Sequence, residues 1–279
     1  MALKLMYITN NPIIARIAQS YGVDRIWVDL ETLGKEERQK NLNTVKSHHT
    51  IQDIRSISTL LDTSELLVRI NPWNAHSTEE LEQVIDAGAD RIILPMWKTV
   101  EEVGYFLEAV AGRIKTTLLL ETREAEDCLD AVLKLSGIDE IHIGLNDLHL
   151  SYGLTFMFEL LSNGTVEAIC NKIIAQGIPY GFGGIACIGE GMLPAEKIIM
   201  EHYRLGSTRA ILSRSFCNAD EITDMDRIDQ LFSQNMKILR EAEAYAAKAS
   251  PIEFQNNRMD VVTCVNAIVK AIKERDKDG

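Results

Sequence analysis

Short β-type runs alternate with longer stretches of helical period about eight times along the 279 residues. Several helical stretches close on glycine just before a charged residue and the next strand, and no G-x-G-x-x-G opens a helix after the first strand. The alternation predicts an α/β protein with a parallel sheet. Eight units in roughly 250 residues match a (β/α)8 TIM barrel and not an open dinucleotide-binding sheet.

Taken in chain order, the predicted strands are Leu3–Ile8, Arg25–Asp29, Glu65–Ile70, Arg91–Leu94, Lys115–Leu120, Glu140–Ile143, Pro179–Phe182 and Arg209–Leu212. The segments between them, such as PIIARIAQSYG, STEELEQVIDAGA and VEEVGYFLEAVAG, carry apolar residues at helical spacing. Junctions that read YGVDRIWVDL, AGADRIILPM and SGIDEIHIGL place glycine where a helix C-terminus needs positive φ. The glycine-rich GFGGIACIGEG has the wrong spacing and comes too late to cradle a dinucleotide, so it reads as a strand end. After the eighth strand a long helical pattern runs to about residue 249. The Ser250–Pro251 break and the polar EFQNNR predict a linker, and VVTCVNAIVKAI predicts an amphipathic terminal helix. The expected organisation is therefore a barrel over residues 1–249 and a linker with an extra C-terminal helix over 250–279. That helix must cover its apolar face, and a neighbouring subunit is the candidate surface.

Composition narrows the function classes. Hydrophobic residues make up 46% of the chain, as in an ordinary globular protein. A formal net charge of -12 argues against a nucleic-acid or anionic-membrane partner. The apolar runs are strand-sized and the N-terminus lacks the basic-then-apolar design of a secretory signal, so a cytoplasmic location is expected. Cys128, Cys170, Cys187, Cys217 and Cys264 show no CxxC or zinc spacing and read as reduced thiols.

In a barrel of this type the residues just past the C-terminal strand ends line the active-site mouth. Those positions hold Asp29 and Glu31, Arg69 and Asn71, Glu121, and Asn146 and Asp147. Any one of these acids could instead cap the following helix. Two acids on adjacent strands with an arginine two strands away point to a hard cation, since Mg²⁺ or Mn²⁺ takes one or two carboxylates and fills its other positions with water and substrate. Lys4 and Lys115 are the only lysines in predicted strands and both lie near N-terminal strand ends. A Schiff-base mechanism therefore has no candidate lysine.

The blocks GVDRIWVDLE, LLVRIN, GADRIILPMWKTVEEV, LLLETREA and GIDEIHIGLNDLHLSYGL resemble successive blocks of the HpcH/HpaI aldolase/citrate lyase family, the metal-dependent pyruvate-type (class II) aldolases and their lyase relatives. The resemblance is close over about residues 8–154. It implies a (β/α)8 barrel, a terminal helix exchanged between protomers, and a homo-oligomer, trimer or hexamer. It also implies that Glu121 and Asp147 ligate Mg²⁺, Mn²⁺ or Co²⁺, and that Arg69 contacts the keto oxygen of a bound 2-oxo acid. The implied reaction cleaves a 4-hydroxy-2-oxo acid to pyruvate, or an analogue, and an aldehyde through a metal-stabilised enolate. Backbone N–H groups around Leu145, Asn146 and Asp147, at the start of a helix, would hold the substrate carboxylate.

One departure bears on the proton-transfer group. Family aldolases end the second strand D-G-E-H, where this chain reads Asp29-Leu30-Glu31-Thr32. The spelling leans toward the citrate-lyase and malyl-CoA-lyase branch, so an acyl-CoA lyase or thioesterase, or a non-catalytic metal-binding barrel, is the alternative. Asp29, Glu31 and Arg69 remain catalytic candidates. His48 and His49, just before the second helix, are substitutes for the missing histidine if their loop folds over the mouth; the competing reading makes them capping or exposed residues. Asn71 is a candidate to bind polar substrate groups beside Arg69, and Trp97 either walls the pocket or packs between helices. His149 and His202 are expected to face outward.

Overall fold

The computed structural model describes residues 2–34, 49–219 and 221–278. Strands β1 (Lys4–Ile8), β2 (Arg25–Asp29), β3 (Glu65–Arg69), β4 (Arg91–Leu94), β5 (Lys115–Leu120), β6 (Ile141–Ile143), β7 (Tyr180–Ile185) and β8 (Arg209–Leu212) pair in parallel and in sequence order. Strand β1 pairs with β8, which closes the barrel and confirms the predicted architecture. The predicted strands stand within a residue or two of those observed, apart from β7. Glycines 181, 183 and 184 let that strand continue to Ile185 through a register shift between Gly181 and Gly184.

Helices on the outside cover the sheet. They include α1 (Pro12–Ser20), α2 (Ile51–Ser58), α3 (Ser77–Asp86), α4 (Val100–Val110), α5 (Arg123–Asp127), α6 (Leu129–Val132), α7 (Leu145–Ser151), α8 (Glu159–Ser162), α9 (Thr165–Ala175), α10 (Ala195–Arg204), α11 (Met225–Ala246) and α12 (Pro251–Asp278). Local chemistry sets many of their starts. Thr50 and Thr99 each accept from the third helical N–H while Asp53 and Glu102 reach back, so α2 and α4 open on capping boxes. The main core lies between sheet and helices, where Ile26, Val28, Leu66, Val68, Leu118 and Leu120 are fully buried.

The barrel lumen is stacked in layers, and this decides where the chemistry sits. Its floor is ionic: Arg25 donates to both oxygens of Glu140 (2.6 and 2.9 Å) and to Glu65 (2.8 Å), with Arg209 also on Glu140 and Lys115 on Glu65 (2.6 Å). Above it Met6, Trp27, Leu67, Ile93 and Leu119 form an apolar plate. Asp29, Arg69 and Glu121 follow two residues on from Trp27, Leu67 and Leu119, so alternation along each strand aims them into the same lumen at its C-terminal mouth. The two strand lysines are at the other end, Lys4 exposed and Lys115 paired with Glu65.

The C-terminal segment differs from expectation. The connection is confined to residues 247–250: α12 starts at Pro251, whose lack of an N–H suits a first-turn position. Ser250 and Glu253 cap it reciprocally, Ser250 N–H donating at 2.8 Å and Glu253 N–H at 3.3 Å. EFQNNR is thus helical. The first half of α12 packs on its own chain, with Val261 and Val265 buried, Asn257 donating to Glu201 and Lys197 paired with Asp260.

Two outcomes follow for stability. Burial opposes ionisation of Glu65, but Lys115, Arg25 and Arg91 hold its carboxyl down to about 2. A depressed native-state value stabilises the fold above the unfolded-state pKa and ceases to do so as pH falls to the native value. Glu65→Gln should therefore cost about 1–2 kcal/mol at pH 7 after screening by solvent, a deficit that shrinks below about pH 4 and is lost as pH falls through about 2 in urea titrations. A Cβ on Gly181 would lie 2.3 Å from the Arg209 carbonyl oxygen, whereas one on Gly104, inside α4, meets nothing within 4 Å. Gly181→Ala should destabilise by at least about 1–3 kcal/mol. Gly104→Ala should stabilise by up to about 1 kcal/mol in the same melts.

Candidate active site

Arg69 organises the mouth. Its Nε and Nη2 donate to the two Asp29 oxygens, both at 2.8 Å, and its Nη1 lies 3.2 Å from Glu31 Oε2. The guanidinium also stands 5.4 Å from the centre of the Trp27 ring. Asp29 and Glu31 are 1% and 2% exposed, so both depend on this partner. Burial works against the Arg69 charge, yet Asp29 and then Glu31 keep its pKa well above the ordinary value. Asp29 also accepts from the Glu31 N–H at 3.1 Å, which fixes the chain where it leaves β2.

Beside this triad stand Glu121, one residue past β5, and Asp147, in the first turn of α7. Glu121 is 3% exposed and accepts from the Met96 N–H at 3.0 Å. Met96 adopts positive φ (53°), which a non-glycine residue does at a cost of about 1–3 kcal/mol, and it thereby aims its N–H at the carboxylate. Burial first, and the charge of Asp147 second, push the Glu121 carboxyl well above the usual carboxylate range against the opposing pull of Arg69. Four carboxylates thus face one guanidinium in a buried mouth. Gly144 precedes α7 because a Cβ there would come within 2.9 Å of Glu121 Oε2.

This donor set fits a hard dication. Two hard oxygen donors carry negative charge in excess of the nearby cation, and a divalent ion between them would offset it. Among the described residues no cluster of three or more His, Cys, Asp and Glu side chains is spaced to hold an ion. Mg²⁺ or Mn²⁺ would take such a pair of carboxylates and keep its other coordination positions for water and substrate.

The structure reassigns several residues singled out in the sequence. Asn71 is spent on the scaffold: its Nδ2 donates to Glu80 at 2.8 Å, and its Oδ1 accepts from the Thr32 and Leu33 N–H groups at 2.9 and 3.0 Å. It holds the rim loop after β2, so its amide oxygen serves the scaffold. Trp97 is 1% exposed and packs in the layer between sheet and helices, so it does not wall the mouth. Leu145 is likewise buried in that layer, which leaves its backbone as the part able to meet a ligand. Asn146 and Asp147 are half-buried at the start of α7. His48 lies outside the described residues. His49 reaches the mouth: its Nδ1 accepts the Asp29 N–H at 2.9 Å.

The remaining histidines turn inward. His149 is buried with Nδ1 at 3.1 Å from the Leu145 carbonyl, and His202 stacks on Phe182 at 3.9 Å, both contrary to expectation. Burial lowers His202 to about 3 and His142, in the lumen, to about 4, so both are neutral. Glu80 escaped sequence reading, and Met96 was legible as a position just past the fourth strand but not in its backbone role. Each acts through a neighbour's backbone or side chain, and only the Pro-Met after β4 hinted at an unusual turn.

The profile of the HpcH/HpaI aldolase/citrate lyase family matches residues 4–177. No protein of curated function matches the chain. Among solved structures, the chain is similar to an HpcH/HpaI aldolase from Desulfitobacterium hafniense DCB-2, with 17% identity, TM-score 0.59, and coverage of 86% of this chain and 93% of that one. Similar too are the citrate synthase SbnG (16% identity, TM-score 0.58, 86% and 94% coverage) and macrophomate synthase (16%, 0.52, 76% and 77%). At such identities the likeness concerns the fold.

Asn71→Ala removes the acceptor for two backbone N–H groups and leaves Glu80, whose pKa burial already raises, without its amide donor. The expected loss is about 1–3 kcal/mol in thermal or urea unfolding, with faster hydrogen exchange at Thr32 and Leu33.

Proposed function

Because the chain belongs to the HpcH/HpaI aldolase/citrate lyase family, we propose that it is a divalent-metal-dependent carbon–carbon lyase that cleaves a 4-hydroxy-2-oxo acid to pyruvate, or a close analogue, and an aldehyde. The observation that carries this reading is the buried Glu121 carboxyl, raised by the neighbouring charge of the half-buried Asp147 and within electrostatic reach of Arg69. Mg²⁺ or Mn²⁺ held by that pair would act as a Lewis acid toward the carboxylate and keto oxygens of the 2-oxo acid.

The chain's own groups do the rest. Arg69 keeps a permanent positive charge beside the C2 oxygen, where negative charge collects as the C3–C4 bond breaks. Asp29 and Glu31 hold the guanidinium rigid, so it need not reorganise during the reaction. The backbone N–H groups of Leu145, Asn146 and Asp147 open α7 and offer their partial positive charge to the substrate carboxylate. Gly144 keeps the space between this turn and Glu121 clear. The strand lysines are at the opposite end of the barrel, which supports a route without a Schiff base. Assembly as a trimer or hexamer belongs to the same reading. It is supported by the exposed apolar side chains Tyr245, Ile252 and Met259 along α11 and α12, and light scattering of the purified chain tests it.

Deuterium exchange at the methyl group of pyruvate checks the lyase reading. Wild-type protein with Mn²⁺ should catalyse the exchange, chelator should stop it, and Glu121→Gln should reduce it by at least about 100-fold, the scale expected when a main source of oxyanion stabilisation is lost. Absence of exchange in the wild type with any of Mg²⁺, Mn²⁺ or Co²⁺ would overturn the proposal.

A further inference from the structure

Strand β8 brings a polar group to the mouth in addition to the charged cluster. Register pairs Gly184 with Ile211 and Ile185 with Leu212. Ile185 and Leu212 are buried in the core between sheet and helices, so Gly184 and Ile211 face the lumen, where Ile211 packs on the apolar plate. Ser213 follows Ile211 by two residues and continues on that face, as Asp29, Arg69 and Glu121 do after Trp27, Leu67 and Leu119. A Cβ on Gly184 would lie 3.7 Å from the Ser213 Cβ, which sets both on the same side of the sheet. Ser213 thereby stands half-buried in the wall of the mouth.

This wall is made of hydroxyls and backbone. Ser213 Oγ and Ser215 Oγ are 2.8 Å apart, and either can be the donor. Whichever donates, the pair keeps one O–H and spare lone pairs for a further partner, and Ser215 is exposed. The adjoining strand adds no bulk, because Gly183 and Gly184 carry no side chain and Phe182 and Ile185 turn outward into the core. A ligand hydroxyl is likewise both donor and acceptor, and it matches such a pair. An anionic group is disfavoured: four carboxylates already face one guanidinium, and a divalent ion would balance only part of the remaining charge.

Resting on the lyase reading, we propose that Ser213 is a specificity-determining residue. Paired with Ser215, it hydrogen-bonds a hydroxyl on C5 of the substrate, so the aldehyde portion is an uncharged hydroxyaldehyde and not a carboxylate-bearing semialdehyde or an acyl-CoA. Ser213 takes the same step past the lumen plate as Arg69 and Glu121, which sets it at the height of the reacting carbons. The selectivity it confers is modest. The two serines already satisfy each other, so a ligand without the hydroxyl strands no buried group.

Aldol addition of pyruvate with Mn²⁺ to three acceptors tests the assignment. Wild-type protein should use glycolaldehyde with a kcat/KM at least about tenfold above that for propionaldehyde, which has a methyl in place of the hydroxyl, and above that for succinic semialdehyde. Ser213→Ala should lower the glycolaldehyde-to-propionaldehyde ratio about tenfold, mainly through a higher KM for glycolaldehyde. A merely structural role would weaken both acceptors alike, so an unchanged ratio in the folded variant overturns the proposal. The wild-type order decides even if that variant does not fold: propionaldehyde used as well as glycolaldehyde overturns it. Preference for succinic semialdehyde also overturns it, and assigns the wall to an anion through Arg214, which lies between the two serines. Failure of the lyase reading shows separately, as the absence of pyruvate methyl exchange in the wild type, and the assignment falls with it.

Discussion

Repulsion between buried carboxylates is the constraint on which this molecule's mouth is built. Burial and the neighbouring charge of Asp147 oppose ionisation of Glu121, and Arg69 offsets only part of that cost. A dication beside the two carboxylates would relieve that repulsion. The Asp29–Arg69–Glu31 arrangement solves the neighbouring problem from the other side, since a guanidinium held by two carboxylates is fixed in place and carries its charge at any working pH.

The lumen beneath explains why the charge can be gathered at one end. An ionic floor centred on Arg25 and Glu140 seals the N-terminal opening, and an apolar plate of Met6, Trp27, Leu67, Ile93 and Leu119 separates it from the mouth. Charges on the two sides of that plate are therefore handled independently. The floor is self-neutralising and serves stability, whereas the mouth is left with excess negative charge and serves binding. Strand alternation delivers both from the same strands: Arg25 and Asp29 on β2, Glu65 and Arg69 on β3.

Side chains that reach the mouth without touching a ligand form a second tier of support. Asn71 and Glu80 pin the rim loop after β2, Met96 accepts backbone strain to serve Glu121, and Gly144 yields the space that any Cβ would fill. His49 belongs to this tier, because its Nδ1 accepts the Asp29 N–H at the end of β2.

Much of this was written in the linear chain. Apolar runs of strand length, helix-closing glycines and strand-end acids are local signals, so the eight strands, their order, and Asp29, Arg69, Glu121 and Asp147 as mouth residues were legible before any coordinates. The exceptions have a common cause. Whether Asn71 meets substrate or Glu80, whether Trp97 faces the lumen or the helices, and whether EFQNNR is linker or helix depend on partners distant in sequence. The same holds for His49, whose partner is an amide twenty residues away. Local propensity and alternation are properties of a segment, and they established the scaffold; hydrogen-bond partnership and burial are properties of the assembled chain, and only the tertiary structure could decide them.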